Sequence, residues 1–221
     1  MQQQKQGYFS FDDIMYLEKS FRAAFVNSLL GFKSVALVGS VNRSEQSNLA
    51  VISSFFHIGA NPPYIGFISR PDSEERHTLS NILETGFYTV NHINENFYEQ
   101  AHHTSARYPL EVSEFGVTSL TEDYKNGFKA PFVKESRIQL GVQFKERINL
   151  SINNTVLIIG QIMQVYFPSN CLCEDGFLDI EKAQSITCSG LDSYHKTKRI
   201  ARLSYAKANV KVESINIKYL E

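Results

Sequence analysis

From residue 34 onward, short apolar runs alternate with clusters of turn residues at a spacing that suits strands. Ser34–Ser40 is a β-branched and apolar run closed by a polar turn over Asn42–Ser47. Leu49–Ile58 and Tyr64–Ser69 read as the next strands, parted by Gly59, Ala60, Asn61, Pro62 and Pro63. Proline cannot donate to a ladder, so the proline pair marks a strand entrance or corner. Thr78–Glu84 predicts a short helix ended by Gly86, and Phe87–Ile93 returns to strand. Asn94 to about Thr104 reads as helical, and Arg107–Gly116 as a loop with a helical turn. Ile138–Leu150 and Val156–Phe167 are two long strand patterns joined by a turn over Ser151–Asn154. Asp175-Gly176 is a tight-turn signal between Cys171–Cys173 and Phe177–Ile180. The tail from Asn209 to Tyr219 carries Val210, Val212, Ile215 and Ile217, which predicts an added edge strand.

The first thirty residues differ. Ser10 followed by Asp12 and Asp13 is a helix start, with acids at the positive end of the dipole. The spacing predicts one helix from about residue 11 to 30, ended by Gly31, with Phe21, Ala24, Phe25, Ser28 and Leu29 as its buried stripe. Many short strands with few helices predict a mainly β domain, a barrel or sandwich with peripheral helices. No linker divides the chain, so residues 1–221 read as one domain with a C-terminal extension from about 195. No G-x-G-x-x-G follows a strand, which argues against a Rossmann-type dinucleotide site.

Composition narrows the functional classes. With 43% hydrophobic and 20% charged residues the chain is ordinarily globular. A net charge of −1 gives no electrostatic reason to expect nucleic acid or an anionic membrane as partner. The cluster Lys196, Lys198, Arg199 and Arg202 reads as a solvated surface. No apolar run approaches the ~20 residues of a membrane span, and the N-terminus lacks a signal-peptide core, so a cytoplasmic location is expected. Three cysteines, Cys171, Cys173 and Cys188, fit free thiols in a reducing compartment, and no ligand set completes a zinc site. Adjacent His102 and His103 face about 100° apart on a helix and do not share an ion.

The candidate chemistry lies between Asn48 and Asn91. A strand over Asn48–Phe56 sends Asn48, Ala50 and Ile52 to one face and Leu49, Val51 and Ser53 to the other. Ser53 and Ser54 stand where a plain strand would carry Val or Ile. Two explanations remain open on the residues alone. The serines satisfy neighbouring backbone groups, or they make room for, and hydrogen-bond to, a planar heterocycle lying along the strand.

The order of motifs resembles the flavin reductase-like, FMN-binding split-barrel family. It is carried by Asn48, Ala50, Ser53 and Ser54; Asn61, Pro62 and Pro63; Thr78, Asn81 and Ile82; and Gly86, Phe87, Val90 and Asn91. It continues through Thr104, Ser105, Tyr108 and Pro109, Glu114-Phe115, Ala130-Pro131 with Glu135-Ser136, and Ile159-Gly160-Gln161. Together these span about Val35 to Tyr194.

The resemblance implies a six-stranded Greek-key split barrel with peripheral helices, with FMN held by Asn48, Leu49, Ala50, Ser53, Ser54 and Phe55 along the strand. Ser69, Arg70, His77 and Thr78 would hold the phosphate, where a guanidinium fork and a helix N-terminus suit an anion. Asn91, Thr104 and Tyr108 complete the implied set, with Tyr108 as a ring cover. It also implies a homodimer and electron transfer from NAD(P)H through FMN, with no catalytic acid, base or metal supplied by the protein. Two positions depart from the family. Phe32-Lys33-Ser34 replaces a Pro-Arg or Pro-Val step, and Cys188-Ser189-Gly190 replaces a Leu-Gly-Gly stretch before Tyr194. The second bears on nicotinamide access and gives Cys188 a position near the ligand. It keeps an alternative open: a flavoredoxin-like carrier or sensor without a pyridine nucleotide site.

Overall fold

The computed structural model describes residues 6–70 and 77–220. Its centre is a seven-stranded antiparallel sheet. In chain order the strands of the molecule are β1 (Lys33–Ser34), β2 (Ala36–Val41), β3 (Ser47–Ile52), β4 (Phe56–Ala60), β5 (Pro63–Ser69) and β6 (Phe87–His92). They continue as β7 (Glu122–Asp123), β8 (Phe132–Val133), β9 (Gln139–Leu150), β10 (Thr155–Tyr166), β11 (Thr187–Ser189) and β12 (Ser193–His195). The helices are α1 (Phe11–Tyr16), α2 (Lys19–Ser28), α3 (His77–Thr85), α4 (Tyr98–His103) and α5 (Glu114–Thr118). The main sheet runs β3-β2-β6-β9-β10-β5-β4, with β1-β11-β12 and β7-β8 as small satellites. Its two edge strands, β3 and β4, are consecutive in the chain and are not paired with each other among the described residues.

Period-two patterning explains two cores. Val35, Leu37 and Leu49 face Phe97 and Ala101 of the α4 region, Phe115 of α5, and Cys188. Ala36, Val38, Phe67, Tyr88, Val142 and Ile158 face inward, where Leu79 and Ile82 of α3 join them. Strand glycines seat the bulk of neighbours. A Cβ at Gly39 would lie 2.2 Å from Pro131 O, and one at Gly160 would lie 2.3 Å from the Tyr88 hydroxyl.

Four expectations need correction. The strand over residues 49–58 is broken at 53–55, so the main sheet has seven strands where unbroken pairing gives six. At the break the Ser54 hydroxyl donates to Ile68 O and accepts from Ile68 N, standing in for ladder bonds. The N-terminal helix is two helices, because Glu18 accepts from Ser20 N and Phe21 N and starts α2 afresh. Its stripe is not buried, since neither helix contains a buried residue. The tail forms no edge strand; Leu203–Ser214 and Cys173–Tyr219 are isolated bridges.

The basic cluster is also more than solvated surface. Arg199 donates to Asp179 at 2.5 Å and Arg202 to Asp175 at 2.6 Å, and both guanidinium groups lie over the Phe177 ring. Tyr219 OH donates to the same Asp179 carboxylate. Burial works hardest against this charge, yet the bonds from Arg199, Lys182 N and Tyr219 outweigh it and hold Asp179 down at about 2. The tail is thereby clamped to the Asp175-Gly176 turn, where Gly176 has φ +85°.

Candidate functional site

The site is built where β3 meets the start of α3. Asn48 Nδ2 donates to Thr78 Oγ1 at 2.8 Å, fixing the strand to the first turn of the helix. One turn further, Asn81 Nδ2 donates to Ser40 Oγ on β2. A small recess of about 10 Å³ between these elements is lined by Asn42, Ser47, Asn48, His77, Asn81 and Val112. Ser69 ends β5, and Arg70 follows with its side chain in solvent. Asn48, His77 and Thr78 are thus brought together, and Arg70 lies exposed just past the end of β5.

Along β3 the residues separate. Leu49 is fully buried in the α4–α5 core, and its N–H leaves the sheet to donate to Glu114 Oε2 at 2.8 Å. Alternate residues of an antiparallel edge strand point their backbone groups off the same edge. Val51, paired with Leu37 as Leu49 is with Gly39, therefore presents its N–H and C=O outward, two residues before the chain leaves the ladder. Ala50 and Ser53 are half-buried beside it. Ser54 is committed to Ile68, and Phe55 turns into the core against Phe67, with ring centroids 5.3 Å apart.

Asn91, Thr104 and Tyr108 are the remaining expected residues. Asn91 is fully buried; its amide nitrogen donates to Leu37 O and Thr89 Oγ1, and its carbonyl oxygen accepts from Val133 N. It braces the wall between β2, β6 and β8 and offers no exposed polar atom. Thr104 is buried, and its hydroxyl donates back to Ala101 O at the end of α4. Tyr108 is half-buried in the loop before α5.

Glu114 was legible only as part of the Glu-Phe motif, yet its carboxylate takes the outward N–H of Leu49 on the strand. Burial pushes its carboxyl up, while the Leu49 N–H and the charge of nearby His77 pull the other way. Beyond Ser53 the β11–β12 hairpin closes the end of the edge. Cys188 is buried and hydrogen-bonded by Ser53, and burial pushes its thiol up. Tyr194 OH and His102 Nδ1 share a hydrogen bond of 3.0 Å, and the His195 ring meets the Phe32 ring edge-on. The α4 pair thus divides into a half-buried His102 and an exposed His103. All three cysteines are free, and no group of three or more potential metal ligands occurs among the described residues.

This mainly β domain, with a free strand edge beside a helix N-terminus, is similar to flavin-handling oxidoreductases. The chain belongs to the flavin reductase like domain family, whose profile matches residues 32–178. A protein from Shewanella frigidimarina, described as a flavin reductase with a split barrel domain, is 48% identical; the match covers 91% of this chain and 100% of that one, with a TM-score of 0.88. Nitrilotriacetate monooxygenase component B from Bacillus cereus superposes with a TM-score of 0.79 over 91% of this chain and all of its own, at 22% identity. Flavoredoxin of Desulfovibrio vulgaris superposes with a TM-score of 0.66 over 81% of this chain and 92% of its own, also at 22% identity. The protein is a flavin reductase-like oxidoreductase domain. Among the described residues no helix is long and apolar enough to cross a membrane.

Proposed function

We propose that the protein binds FMN in a Greek-key split barrel and passes electrons from NAD(P)H through it, as a cytoplasmic homodimer. The observation that carries this reading is the Asn48–Thr78 contact, which joins a strand edge suited to a flat polar ligand to a helix start suited to its phosphate. The residues fit the cofactor. Val51 and Ser53 present backbone and hydroxyl groups that match the pyrimidine edge of a flavin ring. Thr78 and the first N–H groups of α3 suit a phosphate dianion, and exposed Arg70 supplies a charge-assisted donor. Bound FMN supplies hydride acceptance and one-electron exchange, so the chain needs to bind, orient and screen and need not donate an acid or base. Ser54, Phe55 and Asn91 act behind the site as framework.

One observation favours the alternative, a flavoredoxin-like electron carrier without a pyridine nucleotide site. The β11–β12 hairpin puts the Cys188 side chain beside Ser53, with Tyr194 packed on the same cluster as Cys188, narrowing the approach to that end of the shelf.

Titration with FMN and with riboflavin tests the binding reading. FMN is expected to bind at least about tenfold more tightly than riboflavin, roughly 1.4 kcal/mol for the phosphate. Arg70→Ala and Thr78→Ala should each weaken FMN by about three- to tenfold and leave riboflavin unchanged. Equal affinity for the two flavins would remove the phosphate site from the reading.

A further inference from the structure

The two places where the chain departs from its family are one place in the fold. Lys33 and Ser34 form β1, Cys188 and Ser189 lie on β11, and the two strands pair with Lys33 opposite Cys188 and Ser34 opposite Thr187. β12 extends the row, with Tyr194 opposite Cys188. Residues directly opposite in antiparallel strands share a face of the sheet. Lys33, Cys188 and Tyr194 therefore stand in a line on one face of β1-β11-β12. That face looks toward the end of β3. Cys188 is bonded by the Ser53 hydroxyl, and Val51 and Tyr194 pack on the core cluster that holds Cys188. The other face holds the small sheet together. There the Phe32 and His195 rings meet edge-on at 4.9 Å, and His195 Nε2 shares hydrogen bonds of 2.9 and 3.1 Å with the Ser189 and Ser193 hydroxyls. Thr187 Oγ1 donates to Lys33 O at 2.7 Å, and Tyr194 is tied to His102 of α4.

Lys33 is half-buried and makes no ion pair among the described residues. Its charge is felt at the Cys188 thiol, but burial outweighs it there and pushes the thiol up. The thiol is therefore protonated at neutral pH and does not cancel the ammonium. Tyr194, on the same row, is pushed up to about 12, first by burial, and is neutral as well. Asp192, which adds to that shift, is exposed at the hairpin turn. A cation partly withdrawn from water with no internal anion favours a negative charge brought in from outside. The FMN phosphate is not that charge. Its seat at Asn48 and Thr78 lies five residues back from Ser53, roughly 17 Å at the rise of a strand.

We propose that Lys33 is the cation that stabilises the negative charge of reduced FMN at the pyrimidine edge of the ring, and so sets the redox potential of the flavin. The assignment rests on the FMN reading, in which Val51 and Ser53 meet that edge. When the ring takes hydride from a reduced pyridine nucleotide, two electrons and one proton arrive at N5 and the nicotinamide leaves as its oxidised cation. Negative charge then appears over N1 and the adjacent carbonyl oxygen. An ammonium beside that edge favours the reduced flavin and does little for the neutral oxidised ring. Lys33 supplies charge and transfers no proton. Because the three-stranded sheet fixes its backbone, the cation is in place before the electrons arrive.

The midpoint potential of FMN bound to the full chain, read by equilibration with a redox dye of known potential, tests this. Lys33→Met is expected to lower the two-electron potential by about 30 mV, a tenfold loss in the ratio of reduced to oxidised flavin. Its affinity for oxidised FMN should be unchanged. Lys33→Arg keeps the cation and should restore the potential. Ser34→Met, exposed on the opposite face of β1, should leave it where it was. Should circular dichroism show that Lys33→Met has lost the fold, Lys33→Gln removes the same charge with a polar side chain. A potential that ignores the loss of the charge would overturn the proposal while FMN binding stands. So would an equal loss of affinity for oxidised and reduced FMN, which would make Lys33 a binding residue only. An unaltered chain that binds no FMN would overturn both this proposal and the FMN reading.

Discussion

Ser54 sits where β3 leaves the ladder, and its hydroxyl takes over the bonds that a backbone pair would otherwise make to Ile68. Ser53, one residue earlier, faces the Cys188 thiol. The sequence shows both as small hydroxyls in an apolar run, and for Ser54 the explanation that a serine satisfies neighbouring backbone groups holds. Glu114 separates in the same way. Its carboxylate is the acceptor for Leu49 N–H, so Glu114→Ala should leave that donor buried and unpaired at a cost of about 2 kcal/mol, while Glu114→Gln keeps an acceptor. The sign for pH follows from the raised carboxyl. Stability is greatest where Glu114 is protonated and declines as the pH rises from the ordinary carboxylate range through its raised value. Glu114→Gln should remove that decline, as thermal melts across pH 4–8 would show. No spacing rule pointed to Glu114, because its partner is a backbone group 65 residues away.

Elements were legible where one face repeats and illegible where a side chain replaces backbone pairing. β5, β6, β9 and β10 fall within a residue or two of their expected bounds because inward apolar positions recur at period two. The break over residues 53–55 and the restart of α2 at Glu18 were missed, since in both a polar side chain caps the backbone while the apolar pattern runs on. Gly39 makes a prediction at this scale. An added Cβ would meet the Pro131 carbonyl and the Thr89 hydroxyl that donates to it, so Gly39→Ala should lower Tm by about 5 °C, from a loss of roughly 2 kcal/mol. Asp179 makes another. Asp179→Ala leaves Arg199 and Tyr219 without their shared partner and should cost on the order of 3 kcal/mol, read as faster proteolysis within residues 196–220. Because the Asp179 carboxyl is held down, its contribution is present above about pH 4 and is lost as the pH falls through about 2.

At the scale of the molecule, the fold class and the family were readable because ordered motifs extend along most of the chain. The exposure of α1 and α2 was not readable, because helical periodicity reports an apolar stripe and says nothing of whether a surface covers it. His92 links the whole fold to pH. Its ring is packed behind β6 with Nδ1 bonded to Ser185 Oγ, and burial lowers it to about 4. The stability that depends on neutral His92 is therefore present at pH 7 and is lost as the pH falls from 6.5 toward 4. His92→Gln should flatten that part of the melting curve.

Electron flow is tested most directly by anaerobic mixing of the FMN-loaded protein with NADH or NADPH, followed at the flavin absorbance near 450 nm. The account predicts that one nucleotide bleaches the bound flavin within seconds and that readmitted oxygen restores it. Flavin that stays oxidised with both nucleotides, yet is reduced by dithionite, would contradict a reductase and assign the protein to electron carriers.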